Sequence, residues 1–146
     1  MNNAEASKLF LELADLLDLA GELPFKSASY RKVAFSLQNL DRCYDKLVKA
    51  GEFEKIPGAG KAIKEKLIAM VETGQLPALE KWRNHEIAIF YPWLYDLKLK
   101  PRPLGILIKK LEATDFKDLI TKLKNHDIGK LTGQSRETAK IIINKN

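Results

Sequence analysis

Apolar side chains recur three and four positions apart almost from the first residue. Leu9, Leu13, Leu16 and Leu17 form the first stripe, which predicts a helix opened by an Asn3 cap and stopped at Gly21. Pro24 breaks the chain. A second helix is expected from about Ser27, with Tyr30, Val33, Ala34 and Leu37 on its inner face. A third runs from an Asp41 cap to Gly51 with Tyr44, Leu47 and Val48 inward. After FEKIPGAG, a short turn with two glycines, KAIKEKLIAMVETG reads as an amphipathic helix ended by Thr73-Gly74.

The aromatic-rich segment 75–96, with Trp82, Phe90, Tyr91, Trp93 and Tyr95, reads as one or two helices joining two halves, most of its rings in the core. Pro101 and Pro103 interrupt next, ahead of a helix through Leu104, Leu107, Ile108 and Leu111. Thr114 is placed as the cap of a helix carrying Phe116, Leu119, Ile120 and Leu123, and Ser135 as the cap of a last one carrying Ala139, Ile142 and Ile143. No run of alternating apolar and polar positions bounded by turn residues competes, so the fold class is all-α. An apolar residue, a turn and a helix recur at IPGAGKAIKEKL, LKPRPLGILIKKL and LTGQSRETAKII. Only the first copy keeps both glycines.

The 146 residues leave room for one domain or two very small ones. Cys43 is the single cysteine, so no internal disulfide forms and a cytoplasmic location is expected; His85 and His126 stand too far apart to predict a metal site. Acidic residues inside the first apolar stripe argue against a signal peptide or a membrane span. The net charge of +6 points to an anionic partner, and residues 85–146, with 12 basic and 7 acidic side chains, hold most of the surplus. Solvated helix faces explain the same lysines equally well.

Gly58 and Gly60 flank one small residue, Ala59, and lead straight into a helix. Free backbone N–H groups at such a turn can point at an anion, and Lys61 adds a mobile charge. The spacing of a nucleotide-binding P-loop is absent, which makes a polymer backbone the better target. F-x-x-I-P-G-A-G-K-A-I, Phe53 to Ile63, resembles the helix-hairpin-helix DNA-binding motif. With LADLLDLAGELPFKSASYRKVAFSL before it and VETGQLPALEKW after it, residues 4–84 are similar to the amino-terminal lyase domain of the X-family DNA polymerases. A weaker likeness to that family's further hairpins runs to the carboxyl end.

The resemblance implies a compact helical array with one intact and two degenerate helix-hairpin-helix units. It divides the chain into a lyase-like domain, residues 1–84, and a second helical subdomain, residues 85–146. It implies a sequence-independent grip on DNA through Gly58, Ala59, Gly60, Lys61 and Lys64, in repair of gapped or nicked strands. It also places Lys66 at the Schiff-base lysine that excises abasic deoxyribose phosphates, with Lys26, Tyr30 and Arg31 around the 5′-phosphate. Such an amine must be neutral to react, which calls for partial burial or neighbouring positive charge. At about 100° per residue, Lys66 borders the stripe of Ile63, Leu67 and Met70, with Ala62 and Ala69 leaving space beside it.

Three departures accompany these matches. No D-x-D pair occurs, so the chain is not expected to polymerise by itself. Lys64 stands where the motif usually has alanine, and must snorkel or loosen the packing. Ala62 replaces a basic residue of the lyase pocket. No cofactor is expected beyond a monovalent cation that the hairpin backbone has room to hold. DNA is the expected partner, with a polymerase or repair protein supplied in trans. The competing reading is an interaction scaffold that kept the fold and lost DNA.

Overall fold

The longest apolar stripe builds the longest helix. In the computed structural model, which describes residues 1–146, α1 (Asn3–Leu19) buries Phe10, Leu13, Leu16 and Leu19 almost completely. Burial of each such side chain is worth about 1.5–3 kcal/mol relative to exposure. Gly21, at φ +76°, ends the helix as the sequence predicts, with Glu22 N–H donating to the Leu17 carbonyl. Then follow α2 (Pro24–Gln38), α3 (Tyr44–Lys49), a 3₁₀ turn at Phe53–Lys55, α4 (Lys61–Thr73), α5 (Pro77–Arg83), a 3₁₀ turn at Glu86–Phe90 and α6 (Tyr91–Asp96). The chain closes with α7 (Pro101–Leu111), α8 (Phe116–Lys124), a 3₁₀ turn at Ile128–Lys130 and α9 (Gly133–Lys145). No strand interrupts the array, and no helix is long and apolar enough to cross a membrane.

α1 is the central spar, packed against α2, α5 and α7. A single apolar core runs from Ala6 in α1 through Leu67 in α4 and Leu104 in α7 to Ile142 in α9. The aromatic segment cements it: Trp93 stacks on Phe116 of α8 at 3.9 Å, and Phe90 meets the same ring edge-on at 5.5 Å.

Several helix starts differ from the sequence expectation, and each has a local cause. Asn2 caps α1 by accepting from Glu5 N–H, because Asn3 is used elsewhere: its Oδ1 accepts from Tyr44 N–H and its Nδ2 donates to the Arg42 carbonyl. That pairing satisfies the first amide of α3, which therefore starts at Tyr44 without Asp41. α2 starts at Pro24, not Ser27, since a proline at the first helical position loses no intrahelical bond. Pro101 likewise opens α7 instead of interrupting the chain. Asp115, not Thr114, caps α8 by accepting from Asp118 N–H, while Asp118 accepts in return from Thr114 N–H. α9 begins two residues before Ser135, behind Thr132.

Where α1, α2 and α7 meet, Asp18 takes Arg31 Nη2 at 2.7 Å and Arg102 Nη2 at 2.8 Å. Arg31 also reaches Asp15 at 3.0 Å, and Tyr95 Oη donates to Asp15. Burial pushes the Asp15 carboxyl above its ordinary range, against the opposing pull of the Arg31 bond. A raised carboxyl pKa means that the folded state holds the proton more tightly, so this group's contribution to stability falls as pH rises through the folded pKa. Asp15→Asn is accordingly expected to be less costly at pH 7 than at pH 4, relative to the native chain at each pH. Paired urea titrations read the difference directly, and a penalty that grows with pH would contradict it.

Candidate nucleic-acid interface

The glycine hairpin joins α3 to α4 through the Phe53–Lys55 turn. Its two glycines have different tasks. Gly58 sits at φ +89°, in the left-handed region, and an added Cβ would come within 3.3 Å of Lys32 Cγ and 3.6 Å of Val33 N. It is the residue that lets the turn close onto α2. Ser36 Oγ fastens the same turn by donating to the Pro57 carbonyl at 2.6 Å. Gly60 has ordinary extended angles, φ −73° and ψ −177°, and nothing lies within 4 Å of its missing Cβ.

Gly60 is the cap residue of α4, and no side chain caps that helix. Lys64 N–H makes the first intrahelical bond, to the Gly60 carbonyl, so the amides of Lys61, Ala62 and Ile63 precede the ladder with no acceptor of their own. Three orphan donors, the positive end of a helix dipole and an open approach over Gly60 form an anion seat. Lys61 and Lys64 are exposed beside it. Lys64 resolves the packing question by leaving the core and resting its ammonium 5.5 Å over the Phe53 ring.

A second group lies about 7.5 Å further along α4, five residues at the helical rise. Lys66 is half-buried, its ammonium 5.6 Å over the Tyr30 ring, and makes no ion pair. Tyr30 also stacks with Phe10 at 6.1 Å, so this ring packs against the core as well as meeting Lys66. Lys26, one turn before Tyr30, is exposed. Arg31 does not join this group: its guanidinium is held by Asp15 and Asp18 on α1.

The two later turns are not equivalent. α7 begins at the position matching Gly58, so Pro101, Arg102 and Pro103 form its first turn and no hairpin precedes it. Two of those three residues have no N–H, and the Arg102 side chain is spent on Asp18 and the Glu22 carbonyl. That helix start is a packing device. At α9 the amides of Gly133, Gln134 and Ser135 remain unpartnered, and Arg136 is exposed beside them.

Residues that the sequence pattern passed over complete the surroundings of the first hairpin: Lys32, Phe35, Arg42 and Lys55 line a recess against Pro57. Phe35 is 200° around the helix from Val33, away from the stripe of Tyr30, Val33, Ala34 and Leu37, and that offset was the available signal.

A search of curated proteins gave no match. A family model described as a helix-hairpin-helix domain matches residues 1–76, which include α1 to α4 and the whole hairpin. That fold is a nucleic-acid-binding one, which makes nucleic acid the partner class. With the match covering more than half of its 146 residues, the chain belongs to the helix-hairpin-helix domain family.

Proposed function

We propose that the protein binds DNA through its sugar–phosphate backbone, without reading base sequence, and acts on gapped or nicked strands in repair. The observation that carries this reading is the uncapped start of α4, where the Lys61, Ala62 and Ile63 amides stand behind an open Gly60. Backbone amides and lysines recognise phosphate and are blind to the base. The resemblance of residues 4–84 to the X-family lyase domain supports the repair context and a partner polymerase in trans.

Gly60→Asp separates binding from folding. Aspartate is a favourable cap residue and Gly60 has ordinary angles with free space, so stability is expected to hold or rise by a few tenths of a kcal/mol. The same carboxylate accepts from the Ala62 or Ile63 amide and repels phosphate. Hydrogen bonds to charged groups are worth about 1.5–3 kcal/mol, so affinity for DNA is expected to fall about tenfold or more. Titrations over a salt series read both affinity and its slope, and Lys61→Ala should reduce the slope by about 1. A stable Gly60→Asp variant that binds like the native chain would overturn the hairpin reading. No binding by the native chain at low salt would favour the scaffold reading instead.

A second reading is favoured by the Lys66–Tyr30 contact: excision of a 5′-deoxyribose phosphate through a lysine imine. The partly exposed Lys66 side chain, with the small Ala69 beside it, leaves a sugar aldehyde room to reach the amine.

A further inference from the structure

Phe35 is 70% exposed, more than any other large apolar side chain of the protein. It stands on the outer face of α2, at the edge of a recess of about 590 Å3 bounded by Lys32, Asn39, Arg42, Lys55 and Pro57. A bare ring on a helix leaves an aromatic face open for stacking.

The surroundings select what stacks there. Leu40, Leu47 and Pro57 give the recess apolar surface beside the Phe35 ring, and its polar positions set the kind of partner. Cations dominate the rest. Arg42 and Lys55 share one carboxylate, Glu52, at 3.8 and 2.7 Å, which leaves a positive remainder, and Lys32 makes no ion pair. Asp41 is the single acid in the lining. Asn39 donates its amide N–H to the Phe35 carbonyl at 2.8 Å, and its own side-chain oxygen remains an acceptor. An aromatic face, an amide oxygen and three cations match the base and the phosphate of one nucleotide.

The recess adjoins the hairpin. The Lys32 stem packs where a Gly58 side chain would be, and Ser36, also in the lining, donates to the Pro57 carbonyl. The Lys32 side chain thus borders both the Gly58 turn and the recess. We infer that the recess receives an unpaired nucleotide of the bound DNA, its base stacked on Phe35 and its phosphate met by Lys32, Arg42 and Lys55. In an intact duplex both faces of every interior base are already stacked, so the recess favours DNA with unpaired bases at a gap. The inference rests on the hairpin reading and adds to it the place that holds an unpaired base.

The test compares a gapped duplex carrying 2-aminopurine in the gap with a blunt duplex, using the native chain, Phe35→Ala and Gly60→Asp. Phe35 is exposed, so its truncation leaves the core intact. Phe35→Ala is expected to weaken gapped DNA by about 5- to 100-fold, the range for one stacked base, and to leave the blunt duplex within about twofold. The native chain should alter the 2-aminopurine emission, and Phe35→Ala should not. Equal binding of gapped DNA by Phe35→Ala and the native chain overturns this inference while the hairpin reading stands. Equal weakening on both DNAs also overturns it, because the ring would then meet something other than an unpaired base. Weakening of both DNAs by Gly60→Asp, together with weakening of gapped DNA alone by Phe35→Ala, is the pattern that supports both readings.

Discussion

Borohydride reduction of the native chain mixed with gapped DNA bearing a 5′-deoxyribose phosphate is expected to leave a covalent adduct, and Lys66→Ala to reduce it to background. The chemistry sets this expectation. The Lys66 amine adds to the aldehyde carbon of the ring-opened sugar, and water departs to leave an imine. Removal of a proton from the adjacent carbon then breaks the C3′–O bond, the 5′-phosphorylated strand leaves, and water later frees the sugar from the lysine. Hydride delivered to the imine carbon before that last step converts it to a stable amine link. Alanine suits the middle of α4, and Lys66 makes no ion pair, so the variant keeps its fold. Its grip on undamaged DNA, which we propose runs through the Gly60 end of the helix, should be retained. Trapping that persists in Lys66→Ala would assign the adduct to another amine, with exposed Lys26 on the same side as Tyr30 the first to examine. A native chain that is never trapped would leave Lys66 as a packing lysine and end the lyase reading.

The sequence carried the helical fold because the apolar stripes are long and uninterrupted, and Gly21 and Gly74 sit at φ +76° and +72°, where only glycine stops a helix cheaply. Helix starts were less legible. Asn3, Asp41, Thr114 and Ser135 are all good caps by type, yet the choice among neighbouring polar residues is made by contacts across the fold. Asn3 is drawn away by Arg42 and Tyr44, about 40 positions along the chain. The hairpin was legible as two glycines, but not as two tasks, because φ and the approach of Lys32 are properties of the folded turn. Arg31 shows the same limit on the candidate site. Its place beside Tyr30 matches a phosphate ligand, whereas the partner that claims it, Asp18, lies on a different helix.

Gly105→Ala is expected to be the most damaging single-methyl change in the molecule. At Gly105 α7 crosses the end of α1 so closely that an added Cβ would overlap the Leu19 carbonyl oxygen outright, with Leu19 C and Cα at 3.0 and 3.2 Å. These are backbone atoms, which cannot turn aside as a side chain would, so the helices must part. Parting them loosens Leu104, Leu107 and Ile108 from the shared core and stretches the clamp of Arg102 on Asp18 and the Glu22 carbonyl. Overpacking typically costs about 1–3 kcal/mol, and a backbone clash belongs at the upper end. For a chain of this size that corresponds to a fall of roughly 10 °C in Tm. Thermal unfolding followed by circular dichroism measures it, with Gly60→Asp, which has free space, ordinary angles and a favourable cap residue, as the change that should barely lower Tm. A Gly105→Ala Tm within about 2 °C of native would mean that α7 does not approach α1 this closely. Amide exchange on the same variant also tests the proposed division near residue 84. Protection lost first in α7 to α9, while α1 to α4 and DNA binding persist, marks residues 85–146 as a subdomain docked through this one crossing. Simultaneous loss throughout would mean that the continuous core from Ala6 to Ile142 folds as one cooperative unit, and that the hairpin depends on the helices behind it.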